Sequence, residues 1–166
     1  MQMSMRAFLL IVFLAIGLPI QSMAQKKYQT HFYGEDAFKK PISLTNSVIR
    51  ALRKNKDFEW CFEFAKDRFH VTKIDLNHDG VPELLIKGGC GNSANSFFYW
   101  IVTETSRRYD PVFFVATMGI DLEKRLTKGY SNISTFGCTA NTCYYQLFAF
   151  NGRRYIQRRA WEKPNI

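Results

Sequence analysis

Two stretches of this chain can be laid on one another. One runs DGVPELLIKGGCGNSANSFFYWIVTETSRRYDPV from Asp79, the other KGYSNISTFGCTANTCYYQLFAFNGRRYIQR from Lys128. Gly80 falls on Gly129, 49 residues on, Cys90 on Cys138, 48 on, and Tyr109 on Tyr155, 46 on. Each copy reads as a glycine turn, a strand, Gly-Cys, a polar loop, an aromatic strand, Arg-Arg-Tyr and a further strand. So steady an offset is hard to obtain from composition alone. It predicts two β-units of about 48 residues, the size of a propeller blade. Two units cannot close a propeller, so the expected product is a single sheet or a sandwich.

The segments inside the repeat carry β chemistry. HVTKID and ELLIKGG flank the stretch DLNHDGVPE, and SFFYWIVTET, YDPVFFVAT, CYYQLFAF and RRYIQRRAW are rich in aromatic and β-branched residues. Asn151-Gly152, between two such runs, predicts a hairpin because both residues tolerate positive φ. Ser106-Arg107-Arg108 holds the same place in the first copy. Ahead of the repeat the spacing changes to three and four. Ser43 or Thr45 stands where a hydroxyl can cap a helix that carries Val48, Ile49 and Leu52 on one face. Phe58, Cys61, Phe62, Ala65 and Phe69 make a second apolar stripe. The expectation is an α+β fold: N-terminal helices within residues 41–69 packed on an antiparallel β-sheet or sandwich, residues 70–166, built from the two degenerate units.

Residues 1–24 stand apart. Ala7 to Ile20 is apolar but broken by Gly17 and Pro19, and Ser22-Met23-Ala24 offers small residues where a signal peptidase reads. A signal peptide cleaved after Ala24 is expected. The apolar run falls short of the roughly 20 residues of a membrane span, and no cysteine near the cleavage point could carry a lipid. The reading is an exported chain, periplasmic or secreted, with no stable membrane anchor; a retained N-terminal anchor is the alternative. Residues 25–166 then suit a single globular domain.

Removing residues 1–24, with one Arg and no acid, takes the formal net charge from +9 to +8. A basic exported chain meets acidic surfaces, so the expected partner is a protein or an acidic polymer on the cell surface; charge that serves solubility alone is the alternative. No motif points to nucleic acid. The chain has four cysteines, and an even number in an exported chain predicts two disulfides, with three pairings possible. Cys138 and Cys143 bracket a polar turn and suit a local clip, which leaves Cys61 with Cys90. A metal site or a catalytic thiol is the alternative, without CxxC spacing behind it.

DLNHDGVPE is the stretch with the most chemistry. Ca²⁺ takes six to eight oxygen ligands at about 2.3–2.6 Å. Asp75, Asn77 and Asp79 alternate, so a curled loop can turn all three inward. Gly80 permits the sharp bend, the Val81 carbonyl can face the centre, and Glu83 closes the ring. An EF-hand is excluded, since the twelfth position is Ile86 and the flanks are β-like. In the second copy the equivalents of the first three are Lys124, Leu126 and Lys128, and only Asn132, opposite Glu83, keeps an oxygen. The same turn is thus expected there without the acids. A purely structural polar hairpin is the alternative for the first copy.

DLNHDGVPELLI resembles the D-x-[DN]-x-D-G-x-x-[DE] calcium loop of integrin-type FG-GAP and VCBS repeats. More loosely, residues 70 to about 158 resemble small exported bacterial proteins with one such loop, a GYxDI segment and a terminal F-x-G-x-x-Y hairpin; the later pieces here are GYSNI and FNGRRY. The resemblance implies Asp75, Asn77, Asp79, Val81 through its carbonyl, and Glu83 as ligands of a structural Ca²⁺.

Catalytic signatures are missing: there is no G-x-S-x-G, H-E-x-x-H, S-x-x-K or Walker loop, and His31, His70 and His78 are scattered. The chain reads as a calcium-stabilised binding module and not as an enzyme, with an unrecognised hydrolase as the alternative there. Arg107, Arg108, Arg153 and Arg154 at the two hairpin turns, with exposed aromatics such as Trp100 and Tyr145, are the candidate contact residues; the alternative is that the aromatics fill the core and the arginines solvate the turns. The alternative function is a periplasmic inhibitor or immunity protein against a cell-wall hydrolase or toxin.

Overall fold

The computed structural model describes residues 29–33, 38, 43–64, 68–90, 96–106 and 108–165. The expected signal peptide and Arg107 therefore lie outside the described residues. Alternating apolar side chains give strands β1 (His31–Tyr33), β2 (His70–Ile74), β3 (Glu83–Lys87), β4 (Phe97–Thr105), β5 (Arg108–Thr117), β6 (Gly119–Thr127), β7 (Tyr130–Cys138), β8 (Thr142–Phe150) and β9 (Tyr155–Pro164). Two helices, α1 (Asn46–Leu52) and α2 (Lys56–Phe64), stand between β1 and β2.

The strands form two antiparallel sheets. One is a meander in the order β2-β3-β4-β5; the other is a second meander with β1 added at one side, in the order β1-β6-β7-β8-β9. β2 and β6 start at His70 and Gly119, 49 residues apart, and β5 and β9 start at Arg108 and Tyr155, 47 apart.

Side-chain alternation along β4 fixes the layers. Tyr99 and Ile101 point into a cluster shared with Phe32, Ile120, Ile133 and Phe148, so this core lies between the sheets. Phe98, Trp100 and Val102 point the other way, into a cluster that takes in Val48 and Leu52 of α1 and Phe58 and Cys61 of α2. β4 is thus buried on both faces through its centre. β9 is mostly exposed after its first residue.

The α+β expectation is corrected. Strands make up 58% of the described chain, and the helices span only 7 and 9 residues. The molecule is mostly β, and its helices are short pieces, not a layer of helices on a sheet. The stripe that suggested a longer helix reaches Phe69, but α2 ends at Phe64 and Phe69 enters the same cluster from non-helical backbone. Spacing of three and four reported burial there, not helix. Thr45 caps α1, its Oγ1 accepting from the Val48 N–H at 3.5 Å; Asn55 Oδ1 does the same for Phe58 at 2.9 Å in α2.

Both disulfides are at bonding distance. Cys61–Cys90 ties α2 to the segment after β3, with a Cα separation of 5.6 Å. Cys138–Cys143 clips the β7–β8 hairpin at a Cα separation of 4.0 Å. Bonded cysteines of this kind are compatible with an exported protein.

Candidate functional site

The acidic loop, residues 75–82, joins β2 to β3, whose last and first residues Ile74 and Glu83 pair across it. The loop is wound on its own side chains. Asp75 Oδ2 accepts from the Gly80 N–H at 3.1 Å. Asn77 Oδ1 accepts from the Asp79 N–H at 3.2 Å, and Asp79 Oδ1 from the Val81 N–H at 2.7 Å. Asn77 Nδ2 donates to Asp79 Oδ2 at 2.7 Å. Glu83 Oε2 reaches back to accept from the Leu76 N–H at 2.9 Å. Gly80 at φ 84° allows the bend, and His78 also takes a positive φ, 58°.

Two of the four side chains lie inside and two lie toward solvent. Asp75 and Glu83 are only 6% and 5% exposed, Asn77 is half-buried and Asp79 exposed. Burial is the main reason the Glu83 carboxyl is raised above its ordinary 4.5; the Leu76 hydrogen bond opposes this and the charges of Asp75 and Asp79 add to it. Asp75 Oδ1 is buried and meets no hydrogen-bond donor among the described residues. A carboxylate oxygen in that position is costly without a donor or a cation. Asp75 and Glu83 therefore fit a hard cation as they stand. Asp79 and Asn77 fit only if the hydrogen bond between them is given up. Among the described residues no three His, Cys, Asp or Glu side chains already converge as a metal group.

The loop also docks on the second sheet. Leu76 O accepts from the Ser131 N–H at 2.6 Å, and His78 Nε2 lies 3.4 Å from Ser131 Oγ. The Tyr155 hydroxyl donates to Ser131 O at 2.7 Å. The next residue, Asn132, is 3% exposed and its Oδ1 meets no donor among the described residues.

The equivalence between the two glycine turns is corrected. Gly129 has the same φ as Gly80, 83°, but it follows Lys128 at φ 52° in a two-residue turn whose flanks Thr127 and Tyr130 pair directly. Residues 75–82 make a longer loop. A matched glycine concealed two different connections, so the missing acids of the second copy say nothing about the first.

The candidate contact residues separate. Trp100 is fully buried, which corrects its reading as an exposed aromatic: it sits on β4, the strand covered on both sides. Arg108 pairs with Asp110 at 3.1 Å. Arg153 and Arg154 are exposed in the β8–β9 turn, where Asn151 Oδ1 accepts from both of their N–H groups at 2.9 Å. Tyr145 is half-buried on the outward face of the second sheet and stacks on Trp161 at 5.5 Å, with 9° between the ring planes.

Tyr145 belongs to a row that sequence reading missed. Strand register lines up Tyr33, Gly119, Phe136, Tyr145 and Trp161 across all five strands. A Cβ on Gly119 would stand 2.6 Å from the Phe136 ring and 2.7 Å from Tyr33, so glycine lets these two rings close over it at 5.6 Å, edge to face. Two cations flank the row: Arg159 lies 5.2 Å from the Trp161 ring and Lys163 5.5 Å from Tyr145. The alternation that places them on one face was present in each strand; the pairing of strands far apart in sequence was not.

No family model, curated protein or solved structure matches the chain. No helix among the described residues is long and apolar enough to cross a membrane.

Proposed function

We propose that the chain is an exported, disulfide-clipped, calcium-stabilised binding module whose contact surface is the outward face of the five-stranded sheet. The observation that supports it most is the aromatic row from Tyr33 to Trp161 with Arg159 and Lys163 beside it. Flat rings accept the C–H face of a sugar ring, and the cations favour acidic groups along the same polymer. Among the described residues, two acids near this face are engaged: Asp121 with His31 and Glu123 with Ser134. The partner class is therefore an acidic polysaccharide.

Ca²⁺ would be held by Asp75 and Glu83, joined by Asp79, Asn77 and the Val81 carbonyl. The unpartnered Asp75 oxygen supports this part of the reading. The ion would supply charge neutralisation inside the β2–β3 loop; its part is structural. Asp75 and Glu83 position the loop that abuts Ser131, so the ion would stiffen the join between the sheets.

Retention on immobilised polygalacturonate, eluted with salt, tests the contact surface. Polyacrylate, which carries the charge without sugar rings, is the control. Wild-type chain should elute later from polygalacturonate, and Tyr145→Ala with Trp161→Ala should abolish the difference. Equal elution from both supports, or a stoichiometric complex with a protein partner that the double variant still forms, would overturn the reading.

A further inference from the structure

A cavity of about 460 Å³ opens where the two sheets end. β5 is the edge strand of one sheet and β9 the edge strand of the other, and both border it. Each edge strand is bulged there. Val102 pairs with Pro111 and Ile101 with Phe113, so Val112 is the extra residue of β5. Leu147 pairs with Arg159 and Phe148 with Gln157, so Arg158 is the extra residue of β9. Bulges at sheet edges re-aim side chains and end pairing with other strands. Here they leave a hollow of the size that small ligands occupy.

The lining has one kind of charge. Lys54, from the turn between the helices, and Arg154, from the β8–β9 turn, border it, and no acidic side chain lies among the described lining residues. Neither cation belongs to an ion pair among the described residues. Asp110 lies close enough to Lys54 to feel its charge, but its carboxylate takes hydrogen bonds from Thr105 and Arg108. Part of the lining is apolar: Phe114, Val112 and Ile156 supply it, with the Trp100 ring stacked on Phe114 at 5.5 Å. The remaining polar groups are mostly spent. Tyr155 donates to Ser131 O, and Asn55 Oδ1 caps α2. Trp100 Nε1 is the exception: fully buried, it finds no acceptor among the described residues. The indole lies just beneath the lining, so its N–H resonance reports on what fills the hollow without touching it.

We propose that this cavity binds a small organic acid, one carboxylate carried on an aromatic or branched aliphatic body. The apolar body packs on Phe114, Val112 and Ile156, and the carboxylate is held by Lys54 and Arg154 at the mouth. The site goes beyond the polysaccharide surface and uses none of its residues.

The test is titration of the ¹⁵N-labelled chain with 4-phenylbutyrate, followed through the Trp100 indole N–H resonance, beside 4-phenylbutanol and 4-phenylbutylamine. The acid should shift that resonance and bind at least about tenfold more tightly than the alcohol, with the amine weaker still. Lys54→Gln with Arg154→Gln should remove the difference between acid and alcohol while keeping the shift dispersion of a folded chain. Trp161→Ala should leave binding unchanged, which separates this site from the aromatic row. Equal affinity for acid and alcohol, an unmoved Trp100 resonance, an acid preference that survives in the double variant, or loss of binding in Trp161→Ala would each overturn the proposal.

Discussion

The two meanders have the same order of strands and opposite surroundings. In β2–β5 the aromatic residues of β4 feed two cores at once, Tyr99 toward the second sheet and Trp100 toward the helices. In β6–β9 one face supplies the inter-sheet core and the other carries the row that ends in Trp161. One four-strand pattern thus serves in one copy as an interior and in the other as a surface. A similar sequence rhythm does not fix a similar role; what covers each face does.

The largest expected effect separates the two tryptophans. Trp100→Ala should destabilise the fold by about 3–5 kcal/mol, the cost of emptying a packed aromatic site. Trp161→Ala should cost less than about 1 kcal/mol, since it loses only cross-strand contacts. Urea midpoints measure both, and similar losses would break the contrast between covered and open sheets.

The disulfides sharpen it next. Removing Cys61–Cys90, which closes a separation of 29 residues, should cost about 3–4 kcal/mol by loop entropy. Removing Cys138–Cys143, with a separation of 5, should cost about 2 kcal/mol. Paired Cys→Ala variants, compared by thermal melting, check the order; a larger loss from the hairpin clip would show that the exposed sheet is the weaker half.

The proposed calcium would act on the covered meander through its β2–β3 loop. With an affinity in the range of extracellular modules, 10 mM Ca²⁺ should stabilise the chain by about 1–3 kcal/mol, or roughly 5 °C in Tm. Asp75→Asn should abolish the shift; a variant that shifts as far as wild type would remove the ion from the loop.

The smallest effect is that of pH. Glu83 has its carboxyl raised on folding by burial, so the folded chain holds that proton more firmly than the unfolded one. Its contribution is most favourable near or below the ordinary value of 4.5 and is lost as pH rises through the raised folded pKa. In chelator, stability of wild type relative to Glu83→Gln should therefore fall from pH 4.5 toward neutrality, and saturating Ca²⁺ should flatten that slope by favouring the carboxylate. A difference that rises in chelator would contradict the burial of Glu83.

Some of this was legible in the residues and some was not. Asn151-Gly152 marks the β8–β9 turn because only a few residue types accept its backbone, and Gly152 does take φ 101°. The short polar turn between Cys138 and Cys143 favoured one of three pairings, and the structure has that one. The helical reading went astray at Phe69, where an apolar side chain kept helical spacing while the backbone had already left the helix. Trp100 looked like a surface aromatic because alternation along a strand cannot tell a strand covered once from one covered twice. Within the acidic loop, oxygen-bearing residues could be named from their spacing, but which lie inside depends on the docking of Leu76 against Ser131, a contact between the two meanders that local sequence does not carry. The row from Tyr33 to Trp161 and the cavity between β5 and β9 are likewise products of long-range register.

β1 has three residues, yet it pairs with β6, and His31 meets Asp121 across a separation of 90 residues. Between them the chain contains both helices and the whole of the first meander. Closing so long a loop is slow and unrewarded until its far end exists. During synthesis the first strand made must therefore wait for the sixth. Phe32, which it brings into the inter-sheet core, can be held there by strand pairing only once β6 exists to receive β1.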